Sequence, residues 1–365
     1  MRPDVTIESV KARAFKIPTD RPEADGTIAW DSTTLVVVEV SGGGEIGIGY
    51  TYSSAAIAGL IGGKLAKTVE GCDAFAPEGA WLAMQRAVRN LGREGLAATA
   101  ISAVDTALYD LKARLLDLPL VRLLGSYRSS VPIYGSGGFT TYSDRELQQQ
   151  LGGWVGDQGC AFVKMKVGSE PDRDPHRVEV AREAIGNRAM LFVDANGAYT
   201  RKQALGLADQ FAAQGVGWFE EPVSSDDLTG LKAIRRRAPQ PMEVAAGEYA
   251  YTTDYVRTML QAEAVDVQQA DVTRCGGITG FLRVAEVAAE SGLDVSGHCA
   301  PQVSAHACAA IPNLRHLEWF HDHVRLERML FDGVLDPENG VLVPDRSRPG
   351  HGLELKRAEA DRHAA

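Results

Sequence analysis

Polar residues recur at regular intervals along the second half of the chain, each at or near the end of a short apolar run. From Lys166 onward they lie 20 to 28 residues apart, close to the length of one strand-plus-helix unit. The carboxyl ends of the strands of a (β/α)8 barrel all emerge at one rim, where such enzymes keep their chemistry. The series consists of Lys164, Lys166, Asp194, Glu220, Glu248, Asp271, His298 and Glu318. It predicts an α/β fold with a (β/α)8-type barrel and one polar site at its rim.

Three residues of the series are carboxylates on successive predicted strand ends: Asp194, Glu220 and Glu248. Like charges gathered in a partly buried site repel one another strongly unless a cation neutralises them. Hard oxygen ligands without His or Cys favour Mg²⁺, for which Mn²⁺ can substitute. The alternative is three unrelated carboxylates that cap loops, but their regular spacing favours a metal site.

The other residues of the series are candidate acids and bases. Lys164 and Lys166 lie two apart on a strand, so both ammonium groups point to one side, and crowding is expected to lower the pKa of at least one. Asp271 and His298, on consecutive strand ends, can form a pair that orients the imidazole and raises its basicity. Glu318 would complete the ring as a hydrogen-bond donor if protonated. Each of these types alone is common in structural roles, and the shared rim is what makes them candidates.

Composition bounds the class of protein. With 365 residues, of which 45% are hydrophobic and 24% charged, the chain is long enough for a barrel plus a smaller domain. The formal net charge of −10 argues against a nucleic-acid partner, because phosphate binding needs a basic face. The 5 cysteines show no C-x-x-C pairing, which is typical of reduced thiols in a cytosolic protein. Neither a signal peptide nor a bilayer-spanning run is expected, so we predict a cytoplasmic protein without a membrane partner.

The first part of the chain does not show this alternation. Residues 34–40 and 45–50 flank a glycine-rich stretch and predict a β-hairpin, and residues 94–116 show helical periodicity. Gly47-Ile48-Gly49 is not a dinucleotide loop, since the third glycine and a following helix are missing. The predicted organisation is an α+β capping domain at residues 1–127, the barrel at 128–335 and a C-terminal tail at 336–365 that is expected to pack back on the capping domain.

Two barrel helices can be placed from their terminal signals. One spans residues 200–214, opened by a capping box from Thr200 to Gln203 and followed by Gly215. The other spans residues 280–291 and stops at Gly292. Both lie between members of the polar series, as strand–helix alternation requires.

The motifs that carry these residues resemble those of the mandelate racemase subgroup of the enolase superfamily, over nearly the whole chain. They are residues 100–111, Lys164-Met165-Lys166, Asp194-Ala195-Asn196-Gly197, Glu220-Glu221-Pro222, Gly247-Glu248 and residues 276–280. The resemblance implies a metal site at the three carboxylates and a small-molecule carboxylate as substrate. It also implies a homo-oligomer and a capping domain whose loops near residues 19–30 and 50–56 close over the barrel mouth.

By the same resemblance, Lys166 is one acid/base and the His298–Asp271 dyad is the opposite one, while Lys164 and Glu318 polarise the substrate carboxylate. The His–Asp pair separates the chain from the muconate lactonizing branch, whose opposite residue is a Lys. A proton next to a carboxylate is very weakly acidic. Its removal and return on opposite faces is racemisation, whereas its removal with protonation of a departing β-hydroxyl by His298 is dehydration.

The loop at residues 18–27 is polar, which suits a hydroxylated substrate better than a phenyl ring. We therefore expect a carbon–oxygen lyase that dehydrates a sugar acid, an aldonate or aldarate, to a 2-keto-3-deoxy acid. Asn196, Arg21 and Lys16 are candidate substrate contacts, the last two for a distal carboxylate. Racemisation of a 2-hydroxy acid and sugar-lactone cycloisomerisation are the alternatives, and a noncatalytic sugar-acid binding protein is a remote one. The polar segment 321–323 is interpreted as loop polarity with at most a substrate contact.

Overall fold

A computed structural model describes residues 5–365 of the chain. The first part is built on a three-stranded antiparallel sheet formed by β1 (Ser9–Ala24), β2 (Ala29–Gly42) and β3 (Glu45–Tyr52) in that order. The predicted hairpin is confirmed as β2 and β3, which are joined by Gly43 and Gly44 with φ of 59° and 83°. Such left-handed values are available to glycine without strain. Strand β1 was not foreseen from the sequence.

Helices follow this sheet along the chain. They are α1 (Ala56–Leu60) and α2 (Ala66–Val69), which are joined by a π-helical turn (Ile61–Leu65), then α3 (Pro77–Ala87), α4 (Leu96–Leu115) and α5 (Leu120–Leu124). Helix α4, predicted by its periodicity, is buried along most of its length and lies directly against β3. A Cβ at Gly49 would lie 2.1 Å from the carbonyl oxygen of Ala103. The glycines of Gly47-Ile48-Gly49 therefore let helix α4 approach β3 closely. This packing role accounts for a glycine motif that is not a dinucleotide-binding loop.

The predicted barrel is confirmed: eight parallel strands form one sheet that closes by pairing of its first and last members. The strands are β4 (Val131–Gly137), β5 (Phe162–Lys166), β6 (Met190–Asp194), β7 (Val216–Glu220), β8 (Glu243–Ala246), β9 (Val267–Ala270), β10 (Val295–Gly297) and β11 (Leu314–Phe320). A helix follows each strand: α6 (Asp144–Gly156), α7 (Asp174–Ile185), α8 (Arg201–Ala213), α9 (Leu228–Arg235), α10 (Thr253–Gln261), α11 (Gly277–Glu290), α12 (Pro301–Ala309) and α13 (His321–Leu330).

Two helix predictions can be checked in this frame. The capping box of α8 is present, because the Thr200 side chain accepts from the Gln203 N–H and the Gln203 side chain accepts from the Thr200 N–H. Helix α11 begins three residues earlier than expected, at Gly277. Its early start follows from the capping domain, which supplies acceptors for its first N–H groups.

Those acceptors lie on α4. Ser102 Oγ accepts from the N–H groups of Gly276 and Gly277 at 2.9 and 3.0 Å, and the Asp105 carboxylate accepts from the N–H and hydroxyl of Thr279 at 2.9 and 2.7 Å. A Cβ at Gly277 would lie 2.4 Å from Asp105 Oδ2. The segments at residues 100–111 and 276–280 thus form one hydrogen-bonded contact, the joint between the capping domain and the barrel.

The end of the barrel opposite the strand carboxyl ends is filled with large side chains. Trp218 stacks on Phe192 at 5.0 Å between ring centroids, and Tyr134 packs edge-on against Phe192 at 5.5 Å. His316 lies among these rings, where burial lowers its pKa to about 3 and keeps it neutral.

The C-terminal segment contacts both parts of the molecule. It contains β12 (Phe331–Asp332), β13 (Val341–Leu342), β14 (Glu354–Leu355) and α14 (Arg357–Asp361). Strand β13 pairs antiparallel with β4 of the barrel, and the Lys16 N–H of β1 donates to the carbonyl of His363 at 2.8 Å. Across residues 5–365, helices are either too short or too polar to cross a membrane.

Candidate active site

The eight residues of the polar series lie together at the carboxyl ends of the barrel strands, all with buried side chains. Strand β5 carries both lysines, β6 and β7 end at Asp194 and Glu220, and β11 contains Glu318. The remaining three follow β8, β9 and β10 within two residues of the strand end. The barrel therefore brings residues more than 150 positions apart to one site, as the spacing predicted.

The three carboxylates at this rim form a compact cluster. Asp194, Glu220 and Glu248 each offer an oxygen, and these oxygens lie within 4.8 Å of one another. Burial and the negative charge of Asp194 raise the pKa of Glu220 to about 8. Glu248 Oε2 is buried, and its polar neighbour is His298 Nε2 at 3.2 Å. Crowded, buried carboxylate oxygens are what a hard divalent cation requires, so these residues fit Mg²⁺.

Gly247 sets the direction of Glu248. Its φ is 134°, and an added Cβ would lie 2.2 Å from Gln268 Nε2 and 2.3 Å from the Gln269 carbonyl oxygen. Neither the backbone angle nor the space tolerates a side chain at this position. Glycine is therefore required before Glu248 for the backbone to place this carboxylate at the rim.

The two lysines are held by these carboxylates. Lys166 Nζ lies 2.6 Å from Asp194 Oδ2, and Lys164 Nζ donates to Glu220 and lies 2.8 Å from Glu318 Oε1. Burial by itself lowers the pKa of an ammonium group, but the carboxylates outweigh it and raise the pKa of both lysines. The expectation that crowding lowers a lysine pKa is therefore wrong for this arrangement. A divalent cation on Asp194 would compete with Lys166 for that negative charge and bring its pKa toward that of a base.

The structure brings Asp271 and His298 into hydrogen-bond contact. His298 Nδ1 lies 2.7 Å from Asp271 Oδ2, while Asp271 Oδ1 accepts from the Thr273 N–H and hydroxyl, both at 2.7 Å. Burial disfavours the imidazolium, but the neighbouring Cys299, the carboxylates of Glu318 and Glu248 and the hydrogen bond to Asp271 outweigh it and raise the His298 pKa well above its usual value. The Asp271 hydrogen bond holds the imidazole in one orientation.

Glu318 is not the protonated donor that the sequence suggested. Burial would raise its pKa, but the Lys164 ammonium and the His298 imidazole lower it below the usual range. The carboxylate accepts a hydrogen bond from Ser136 Oγ at 2.5 Å. Ser136 lies on β4, so the first and last barrel strands meet at this residue. Glu318 is a paired carboxylate at the edge of the cavity, with Lys164 fully buried beneath it.

A cavity of about 390 Å³ opens above these groups, between barrel and capping domain. This volume lies within the range of about 300–1,000 Å³ that is usual for small-molecule sites. The barrel lines it with Lys166, Asn196, Glu248, Tyr249, Arg274, His298, Cys299, Glu318, Phe320 and His323, and the capping domain with Asp25, Ile28, Trp30, Ser32, Thr33, Thr34, Tyr52 and Ser53. Hydroxyl-bearing, amide and charged side chains thus surround the acid/base groups.

Two side chains in this cavity were missed by the sequence reasoning. Arg274 lies 3.2 Å from Glu248 Oε1 and 3.5 Å from Asp271 Oδ2, on the same loop as Asp271. Its position three residues after Asp271 was a usable signal. Cys299 directly follows His298 and was seen only as one of five thiols.

The predicted distal-carboxylate contacts are wrong. The exposed Arg21 side chain forms an ion pair with Glu146 on α6, and Lys16 is exposed on β1, so neither lines the cavity. Asn196 does line it. Arg274 is a cationic side chain that does line the cavity.

The two capping segments that were expected to cover the barrel mouth do so, although the wall is less polar than residues 18–27 suggested. Only Asp25 of that stretch lines the cavity, followed by Ile28 and Trp30. Trp30 Nε1 donates to Glu23 at 2.8 Å, and the Tyr52 ring stacks on His323 at 3.4 Å. These contacts fix aromatic side chains of the capping domain over the barrel.

Comparison with known proteins identifies the class. Residues 146–360 match the family described as "Enolase C-terminal domain-like", and residues 10–125 match "Mandelate racemase / muconate lactonizing enzyme, N-terminal domain". The chain belongs to the mandelate racemase/muconate lactonizing enzyme family of the enolase superfamily.

Similar proteins cover nearly the whole chain. The chain is 32% identical to the 3,6-anhydro-alpha-L-galactonate cycloisomerase of Streptomyces coelicolor, covering 96% of this chain and 97% of that protein. It is 30% identical to the L-talarate/galactarate dehydratase of Salmonella typhimurium, covering 98% and 90%.

Solved structures agree. A mandelate racemase/muconate lactonizing enzyme-like protein from Rubrobacter xylanophilus matches with a TM-score of 0.97 and 55% identity, covering 99% of this chain and 100% of that chain. A racemase from Streptomyces coelicolor with bound magnesium matches with a TM-score of 0.92 and 31% identity, covering 98% and 100%. Magnesium is therefore present in a structure of this family.

Proposed function

We propose that this protein catalyses the Mg²⁺-dependent dehydration of a sugar acid, an aldonate or aldarate, to a 2-keto-3-deoxy acid. The observation that carries the proposal is the placement of Lys166 and His298. Both line one cavity, and their strands lie across the barrel mouth, with β6 to β9 between them on one side and β11 and β4 on the other. Two such groups can transfer protons on opposite faces of one substrate.

Binding of the substrate carboxylate follows from charge. Asp194, Glu220 and Glu248 would hold Mg²⁺, which when bound would supply positive charge beside the substrate carboxylate and make the adjacent C–H more acidic. Lys164, buried beneath Glu318, adds positive charge to the floor of the site. The Arg274 guanidinium stands at the cavity wall, where it suits an anionic or hydroxylated distal end.

Dehydration needs a base and an acid at the same time. Lys166, as the neutral amine, takes the α-proton. His298, whose pKa its surroundings raise, gives its Nε2 proton to the β-hydroxyl, so that the carbon–oxygen bond breaks and water leaves. The resulting enol tautomerises to the 2-keto-3-deoxy acid. The Asp271 hydrogen bond to Nδ1 directs Nε2 toward the cavity.

Cavity lining favours a polyhydroxy substrate. Ser32, Thr33, Thr34 and Ser53 of the capping domain and Asn196 of the barrel present hydroxyl and amide groups. A site built from hydrogen-bonding groups discriminates against substrates that leave them unpaired. We therefore expect mandelate, which has one hydroxyl and a phenyl ring, to be a poor substrate.

Cycloisomerisation of a sugar lactone is the second candidate, favoured by the 32% identity to a cycloisomerase over nearly the full length of both chains. It uses the same α-proton removal but loses no water. Racemisation needs only the two opposed bases. Each of these reactions requires Lys166 or His298, whereas a sugar-acid binding protein requires neither.

The test is a panel of aldonic acids, aldaric acids and sugar lactones with Mg²⁺. Formation of a 2-keto acid is followed by a colorimetric assay and confirmed by NMR. We expect at least one acid to give a 2-keto-3-deoxy product, and Lys166→Ala to give none. Rapid mandelate racemisation without dehydration of any acid would contradict the proposal, and lactone isomerisation alone would establish the second candidate.

A further inference from the structure

Three side chains of different chemical type meet beside the carboxylate cluster. His298 Nε2 lies 3.4 Å from Cys299 Sγ and 3.3 Å from Glu318 Oε2, and Cys299 Sγ lies 3.2 Å from the same Glu318 oxygen. All three residues are buried yet line the cavity. A nitrogen, a sulfur and an oxygen thus form a nearly equilateral triangle that faces the substrate space.

That triangle has the size of a zinc site. Zn–N of about 2.0–2.1 Å, Zn–O of about 2.0–2.2 Å and Zn–S of about 2.3 Å in a tetrahedron put ligand atoms about 3.4–3.6 Å apart. The observed separations, 3.2–3.4 Å, need an expansion of only a few tenths of an ångström. Three protein ligands with a fourth position open to the cavity is also the usual arrangement of accessible zinc sites.

We propose that His298, Cys299 and Glu318 form a second cation site, selective for Zn²⁺-like ions over Mg²⁺, and that its occupation excludes substrate. Selectivity follows from the ligands, because thiolate and imidazole favour borderline and soft ions, whereas Mg²⁺ prefers oxygen. On binding, the Cys299 thiol and the Nε2–H of protonated His298 each lose a proton to solvent, and the thiolate sulfur and the imidazole nitrogen take the ion. The ligand geometry is independent of the reaction; the inhibition rests on the proposed role of His298.

The backbone holds Cys299 in this position. Cys299 and Ala300 have φ of 50° and 43°, so two consecutive residues other than glycine adopt left-handed conformations. Such conformations are strained for residues with a side chain and persist only where surrounding contacts impose them. Here the Cys299 carbonyl accepts from Ser304 Oγ at 2.9 Å, and the Ala300 N–H donates to His323 Nδ1 at 3.3 Å. The thiol is therefore presented to the site by a constrained turn.

Cobalt provides a spectroscopic test that needs no substrate. The full-length protein is stripped with EDTA, saturated with Mg²⁺ and titrated with Co²⁺. We expect a thiolate-to-cobalt charge-transfer band, its loss on titration with Zn²⁺, and no band in Cys299→Ser. Cys72→Ser is the matched control, because this half-buried thiol lies in the capping domain, and it should keep the band. Cys299→Ala, with the same expectation, serves if the serine variant does not fold.

Two outcomes would overturn the site: no thiolate band in the folded wild type, or a band that persists in Cys299→Ser and Cys299→Ala. If a substrate is turned over, Zn²⁺ should inhibit competitively, and removal of the thiol should weaken inhibition at least about tenfold, as loss of metal-site partners commonly does. Zn²⁺ inhibition of equal strength in the wild type and in the Cys299 variant would also contradict the proposed site. If no sugar acid is dehydrated, the cobalt band still decides the metal site separately from the proposed reaction.

Discussion

Replacing Glu23 with Gln should stabilise the protein, and more so as pH rises. Glu23 is fully buried where the capping domain meets the barrel, and its Oε1 accepts no hydrogen bond. Burial, with the nearby charges of Asp322 and Asp20, raises its pKa from 4.5 to about 8, against the opposing effects of the Trp30 hydrogen bond and Arg325. The native state therefore holds a proton that the unfolded chain releases.

The sign and size follow from this shift. For a group with a raised native pKa, its stabilising contribution is fully present below pH 4.5 and is lost as pH rises to about 8. Between the unfolded-state pKa of 4.5 and pH 7 there are about 2.5 pH units. At 1.36 kcal/mol per unit, the free energy of unfolding is lowered by about 3 kcal/mol at pH 7. Gln carries no charge and its amide oxygen can still accept from Trp30. With an unfolding entropy of about 2.1 cal/mol/K per residue over 365 residues, 3 kcal/mol corresponds to about 4 °C.

Thermal unfolding of wild type and Glu23→Gln, followed by circular dichroism between pH 4 and pH 9, measures this difference. We expect equal midpoints near pH 4 and a variant more stable by about 4 °C near pH 7. Asp31→Asn, on an exposed site of the same sheet, is the matched control and should show no such trend. A difference between Glu23→Gln and wild type that is independent of pH, or of opposite sign, would refute the reasoning.

Three further predictions concern the metal and the docked domains. Glu220→Gln removes a charged ligand, so it should lower Mg²⁺ affinity at least about tenfold in calorimetry and abolish turnover in the product assay. Unchanged affinity would contradict the metal site. In Gly247→Ala the added Cβ would collide with Gln268, so this variant should lose Mg²⁺ affinity and turnover while its circular dichroism stays native. Normal Mg²⁺ binding would show that Gly247 does not position Glu248. Ser102→Ala should destabilise the protein by about 1–3 kcal/mol, since two N–H groups lose their acceptor; an unchanged denaturation midpoint would show that the joint is not needed.

The polar ring could be predicted because barrel topology converts sequence spacing directly into position. Strand–helix units of similar length place each strand end at the same rim, so Lys164 contacts both Asp194 and Glu318 although these two are far apart in sequence. Strand β1 was not predicted, although the alternation of charge and apolarity before residue 20 is typical of a half-buried strand.

Side-chain partners could not be predicted in the same way. Arg21 was expected in the cavity because the capping segment that contains it was expected there. Its side chain instead points to Glu146 on barrel helix α6, and no sequence signal links these two residues. The lysine pKa values were predicted from the cations alone. Their actual direction depends on the carboxylates of Asp194 and Glu220, whose distances only the structure gives.

The central claim is that Lys166 and His298 divide proton removal and hydroxyl protonation between them. It is tested most directly in D₂O, by NMR of an accepted sugar acid whose α C–H faces Lys166. His298→Asn should exchange the α-proton for deuterium without forming the keto acid, and Lys166→Ala should lose exchange while it still binds Mg²⁺. Dehydration by His298→Asn at the wild-type rate would contradict the role of the His298–Asp271 pair.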